Sequence, residues 1–329
     1  LQYYLKKLGS QELGSIKEDG KASRGRYIYI SKSPDVLPFF PPLSMFIKND
    51  SSLLPIIPLY ENIKHKIYCN YIYHNDKFTV PNGTRNEYRI YCNNSLELNR
   101  KLFKEEDILI FKKDTVVLDG ESQDVYFLEL LNDKETALYR ECNTKIQNSN
   151  IRGSHAIIEG KIPEIESKIQ NVISQGNIEV VIDDTVTQKV GNENETSAME
   201  SLFNANTFRD FVMVGYNNLC AITRTVIRYE TFTNLEAAHI KPKSHGGLFL
   251  PNNGIALCRD LHWAFDKGFY TLNDNYEVVV HPKTTSGYLK AFEGKKIEVP
   301  SNAFFVPDID NIHYHNDTVY GLFLTTGRL

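Results

Sequence analysis

Cysteine, tryptophan and long apolar runs are scarce in this 329-residue chain, and each scarcity removes a class of protein. The five cysteines, at positions 69, 92, 142, 220 and 258, are odd in number, widely spaced and free of any C-x-x-C pair. They offer no material for a disulfide framework or a zinc site stapled by paired cysteines. No segment approaches the roughly 18 uninterrupted apolar residues of a membrane helix. The most apolar stretch, from Val36 to Ile47, is interrupted by Pro38, Pro41 and Pro42 and reads as extended or turning. The opening residues, Leu1 to Lys7, have neither region of a signal peptide, so a soluble cytoplasmic protein away from membranes is expected. An excess of one charge is missing too. Lysine and arginine number 37 against 41 acidic residues, net −4, which excludes a globally basic protein and leaves local basic patches for any nucleic-acid contact.

Apolar residues make up 41% of the chain, enough for a real core, and about 150 residues per domain suggests two domains. Aromatic residues are carried by 19 Tyr and 18 Phe against one Trp, which suits β-rich structure. The first 140 or so residues read as short strands at Tyr27–Ile30, Lys66–Tyr73, Glu87–Tyr91, Ile108–Phe111 and Val125–Leu131. Turn-formers such as Pro81-Asn82-Gly83 and Leu118-Asp119-Gly120 separate them, so a barrel or sandwich is expected. Asn143 to Gly153 reads as a polar loop, and Pro163 to Ser174 has apolar residues at helical spacing. Asp183 to Ser197, acidic and without periodicity, is the best linker, and from Ala198 one helix is expected through Phe203, Phe208 and Val212. The domains then run 1–150, β-rich; 151–197, helix and linker; and 198–329.

The chemistry concentrates in Glu236-Ala237-Ala238-His239-Ile240-Lys241-Pro242, followed by Gly246-Gly247 and the run from Asn252 to Gly268. Leu235 to His239 reads as a strand, Asn253 as a turn before an apolar run, and His262 and Asp266 as i,i+4 neighbours on one helix face. A His and an Asp so placed can grip one divalent cation. These residues resemble the HNH nuclease signature, whose three letters are His239, Asn253 and His262, over about the last 120 residues. The resemblance implies a ββα-metal fold, phosphodiester hydrolysis with one divalent metal (Mg²⁺, or Mn²⁺), and His239 as general base. It implies His262 as metal ligand, with Asp266 a second, and Asn253 orienting His239 by hydrogen bonds. The position before the base, which carries a metal ligand in many such nucleases, is Ala238 here; Asp266 or Glu236 is left to compensate. His245 reads as a loop residue, Cys220 and Cys258 as buried thiols, and His315 as packing.

Two polar sets stand out in the first half: Lys17, Lys21, Arg24 and Arg26, then Asn75, Lys77, Asn82, Thr84, Arg85 and Asn86. Such side chains read phosphates and base edges. Leu8-Gly9, Arg24 to Tyr27, Asn86 to Tyr91, Leu102-Phe103 and Glu106 to Lys113 resemble the seven-stranded pseudobarrel of plant transcription factors (the B-three type), which also serves as a recognition domain in some restriction endonucleases. The expectation is an α+β, two-domain, site-specific endonuclease of restriction type, acting on double-stranded DNA as a homodimer. A modification-dependent HNH nuclease, a nicking enzyme and a catalytically inactive DNA-binding regulator are its rivals.

Overall fold

The computed structural model describes residues 2–14, 26–60, 64–97, 101–118, 120–176, 178–191, 196–230 and 232–323. The chain forms two compact units, residues 1–189 and 190–329. It is a mixed α+β protein.

The first unit is a nine-stranded curled sheet. Its strands are β1 (Gln2–Lys7), β2 (Tyr27–Ile30), β3 (Ser51–Pro58), β4 (His65–His74), β5 (Glu87–Tyr91), β6 (Ile108–Leu118), β7 (Glu121–Leu131), β8 (His155–Glu159) and β9 (Glu179–Val181). They lie in the order β2-β5-β4-β3-β7-β6-β1-β8, with β9 added on β4. Pairing is antiparallel except for β3 with β7 and β4 with β9. Alternation along the strands explains why both faces are buried. Tyr4, Leu109, Phe111, Tyr126 and Leu128 join one core with Ile67, Cys69 and Tyr71. The intervening Tyr3, Leu5, Ile108, Ile110, Val125 and Phe127 face a second core with the helices.

Those helices are α1 (Ser10–Leu13), α2 (Asp76–Thr79), α3 (Ala137–Gln147), α4 (Pro163–Ser174) and α5 (Asp184–Gly191). The α4 span agrees with the sequence reading, but three neighbouring expectations do not survive. Asn143 to Gln147 is the end of α3, not loop; Tyr139, Cys142 and Ile146 bury one face while polar residues fill the other. Asp184 to Gly191 is helical where a linker was expected, anchored by buried Val186 and Thr187. The sheet also takes in β8 and β9, so the first unit runs past residue 150.

Arg26 is corrected as well. It is buried, pairs through Nε and Nη2 with the fully buried Glu97, and donates to the carbonyls of Leu13 and Phe103. It cannot reach DNA from there. Arg26→Ala would strand the Glu97 carboxylate and should cost about 3–5 kcal/mol of unfolding free energy, read by denaturant titration. Unchanged stability with lost DNA binding would restore it as a DNA contact.

The second unit holds α6 (Thr196–Ser201), α7 (Ala205–Gly215), α8 (Arg259–Asp266), α9 (Gly287–Lys290) and α10 (Ile309–Thr318). Its strands pair as three hairpins: β10 (Arg228–Tyr229) with β11 (Phe232–Thr233), β12 (Leu235–His239) with β13 (Gly254–Cys258), and β14 (Tyr270–Leu272) with β15 (Val278–Val280). The single helix expected from Ala198 is two. Asn204 breaks it by capping α7, its side chain accepting from the Thr207 amide at 3.0 Å. Phe208 and Val212 of α7 pack with Leu235, Ala238, Ile255, Leu257, Leu261 and Phe265. That core clamps β12, β13 and α8 into one block. No helix among the described residues is long and apolar enough to cross a membrane.

Candidate active site

Strands β12 and β13 pair antiparallel with His239 opposite Gly254, and α8 starts directly after β13. Gly254 is required by packing: a Cβ there would lie 2.3 Å from Val212 Cγ2 and 2.9 Å from Phe208. Its absence lets the end of the hairpin settle on α7. His239 consequently stacks on Phe208, with ring centroids 4.3 Å apart, and meets Phe249 edge-on at 5.3 Å.

This apolar seat sets the protonation of His239. Burial, then the nearby charges of Lys243 and His262, lower its pKa to about 4, so the ring is neutral at pH 7. Its Nε2 is buried, with no hydrogen-bond partner among the described residues. A neutral imidazole with an unpartnered ring nitrogen can accept a proton.

Asn253 is buried and works on the backbone around His239. Its Oδ1 accepts from the Lys241 amide at 2.8 Å, and its Nδ2 donates to the carbonyls of Lys241 and Leu248 at 3.1 and 3.0 Å. Asn253 thus grips the loop that follows His239 through backbone hydrogen bonds. Gly247 allows the loop to close, since a Cβ there would sit 1.9 Å from the Lys241 carbonyl.

Leu261, Ala264 and Phe265 bury one face of α8, and the opposite face carries Arg259, His262 and Asp266. The Nδ1 of His262 is 2.8 Å from Glu236 Oε2, and its Nε2 is 3.3 Å from Asp266 Oδ2. Glu236 turns its other oxygen to Arg259 Nε at 3.1 Å. The structure thus joins His262, Asp266 and Glu236, while fully buried Ala238 belongs to the core. Desolvation raises the pKa of the Asp266 carboxyl, although about half of its side chain stays open to solvent (51% exposed). Among the described residues no three His, Cys, Asp or Glu side chains form a closed metal cage. The donor types nonetheless suit a divalent cation. Two ligands at about 2.1 Å from one ion lie roughly 3 Å apart, close to the Nε2–Oδ2 separation, and a carboxylate behind the other imidazole nitrogen fixes the ring for ligation.

The first-unit candidates scatter. Lys17, Lys21 and Arg24 lie outside the described residues. Asn75 is corrected: fully buried, it donates to the carbonyls of Ser44, Met45 and Ile47 and accepts from the Asn49 amide, so it shapes a turn. Lys77, Asn82 and Arg85 are exposed around one turn, Arg85 paired with Asp76 at 2.7 Å, and Asn86 accepts from Tyr73 at 2.8 Å. His315 packs on Phe265 with centroids 3.8 Å apart, as expected, and Cys220 and Cys258 are buried free thiols.

Sequence reasoning missed Phe208, Phe249 and Arg259. Arg259 was within reach, three residues before His262 on the same helix face. Phe208 was not, because 31 positions and an intervening hairpin separate it from His239.

Residues 220–273 match the family model described as HNH endonuclease. No curated protein sequence matches the chain. A solved structure titled modification dependent TagI restriction endonuclease is similar at 24% identity and a TM-score of 0.29, over 37% of this chain and 40% of that one.

Proposed function

We propose that this chain, a nuclease by virtue of its HNH endonuclease domain at residues 220–273, is a site-specific DNA endonuclease of restriction type. The observation that carries the reading is a neutral imidazole with an unpartnered nitrogen on the same ββα block as the His262–Asp266 pair. His239 takes the proton of the attacking water. Asn253 fixes the loop that presents it, and Glu236 orients His262. His262 and Asp266 would hold the cation, Mg²⁺ or Mn²⁺ in its place, with oxygen donors completing its shell. A bound divalent cation neutralises charge on the scissile phosphate and stabilises the leaving 3′ oxygen.

The curled sheet of the first unit is read as a pseudobarrel that recognises the DNA sequence, with Lys77, Asn82, Arg85 and Asn86 on its contact surface; Lys17, Lys21 and Arg24, outside the described residues, are read from the sequence as further DNA contacts. One active site cuts one strand, so a homodimer on DNA completes a double-strand break. A fragment of residues 1–189 should bind specific duplexes without cutting, with affinity falling steeply as salt rises. A fragment of residues 190–329 should cut weakly and without sequence preference. Mapping the ends left on methylated and unmethylated genomic DNA with Mg²⁺ tests the whole reading. Random ends would remove site specificity, and cutting confined to methylated DNA would favour the modification-dependent alternative.

A further inference from the structure

We propose that Lys243 is a direct contact to the scissile phosphate, its ammonium held on the Phe249 ring beside His239 and offered to the DNA without a counter-ion among the described residues. The inference rests on the reading of His239 as the base. Lys243 Nζ lies 4.3 Å from the centroid of Phe249, and Phe249 in turn meets the edge of the His239 ring. One aromatic side chain therefore sets both the base and the cation.

The backbone keeps Lys243 at that place. It opens a short 3₁₀ turn, residues 243–245, closed by the Gly246 amide on the Lys243 carbonyl at 3.1 Å. The amides of His245 and Gly247 both bond the Pro242 carbonyl, at 2.9 and 3.0 Å. Asn253 grips Lys241, two residues before it. A lysine on so constrained a loop has less freedom to lose on binding than one on a mobile tip.

The nearby cations Arg259 and Lys241 have other protein partners. Arg259 is turned to Glu236, and Lys241 lies over the Tyr314 ring at 4.7 Å. Among the described residues no carboxylate lies within ion-pair distance of Lys243. A cation beside a neutral base is poorly compensated until an anion arrives, and the group that must arrive next to His239 is a phosphodiester. Lysine binds phosphate as a compact point charge, strongest where charge accumulates on the non-bridging oxygens.

The test uses the full chain and a cleavable duplex, with Lys243→Gln, Lys243→Arg and His239→Ala side by side. Lys243→Gln should lower the rate at saturating DNA by about 10²-fold. In metal-free binding, the slope of log affinity against log salt should shrink by about 0.9, the loss of one phosphate contact. Lys243→Arg should recover most of both. Wild-type cleavage by Lys243→Gln overturns the proposal. So does slow cleavage with an unchanged salt slope and no recovery by arginine, which would make the side chain a structural prop. Undiminished cutting by His239→Ala would instead overturn the base assignment, and this contact with it; that readout is separate from the lysine variants.

Discussion

Replacing His239 with alanine should slow cleavage by about 10²–10⁴-fold while DNA affinity without divalent cation stays near wild type. The base acts on the attacking water in the chemical step, so its loss should appear in the rate at saturating substrate and not in docking. The pH profile supplies a second readout. An ordinary imidazole titrates near 6.5 and would lose its base form on mild acidification. His239 titrates at about 4 because it is buried between Phe208 and Phe249, and the lowered value keeps the neutral form as pH falls. At saturating Mg²⁺, kcat/KM should therefore stay flat from pH 7 to about 5, where an unburied histidine would already have failed. Negative charge favours imidazolium, so bound phosphate should move the acid limb of kcat upward from that of kcat/KM. A Phe208→Ala variant should raise the acid limb of kcat/KM toward 6.5. Wild-type cutting by His239→Ala, or an acid midpoint already near 6.5, would end the assignment.

What the sequence disclosed follows the range of the forces involved. Strands β2, β4 and β5 were legible from their β-branched and aromatic residues between turn-formers, and helix α4 from its 3.6 period, all signals carried by adjacent residues. The site's backbone was legible because it is local: strand, turn and helix lie within the 32 residues from Leu235 to Asp266. What failed was decided by partners far along the chain. Arg26 looked like a DNA contact until the sheet placed Glu97 against it, and Asn75 until three carbonyls closed around its amide. Lone polar residues look alike in sequence whether a fold buries or exposes them. The α5 helix was hidden because, among its residues with described side chains, only Val186 and Thr187 are buried, too few for a visible stripe.

Asp266→Asn should raise the Mg²⁺ concentration for half-maximal cleavage by about 100-fold, the upper end of what even an outer partner's loss costs a metal site. A neutral imidazole alone cannot offset the dehydration of Mg²⁺, which prefers oxygen donors and keeps several of its waters. Asp266 adds the negative charge, and its Oδ2 already stands 3.3 Å from His262 Nε2, a separation suited to two ligands of one ion. Glu236 has less to offer as a ligand, since one of its oxygens holds His262 Nδ1 and the other holds Arg259. Glu236→Gln keeps an acceptor for the ring while losing the charge, so its shift should be several-fold smaller, and should come with a weaker hold on the imidazole. Because the pair leaves most of the coordination sphere open, metal affinity should rise when a phosphate-bearing duplex is bound. Calorimetric titration of Mn²⁺ into the His239→Ala chain, with and without uncleaved DNA, reads that coupling directly. A larger shift for Glu236→Gln than for Asp266→Asn would move the second ligand from α8 to β12, and DNA-independent affinity would mean that the protein alone fills the shell.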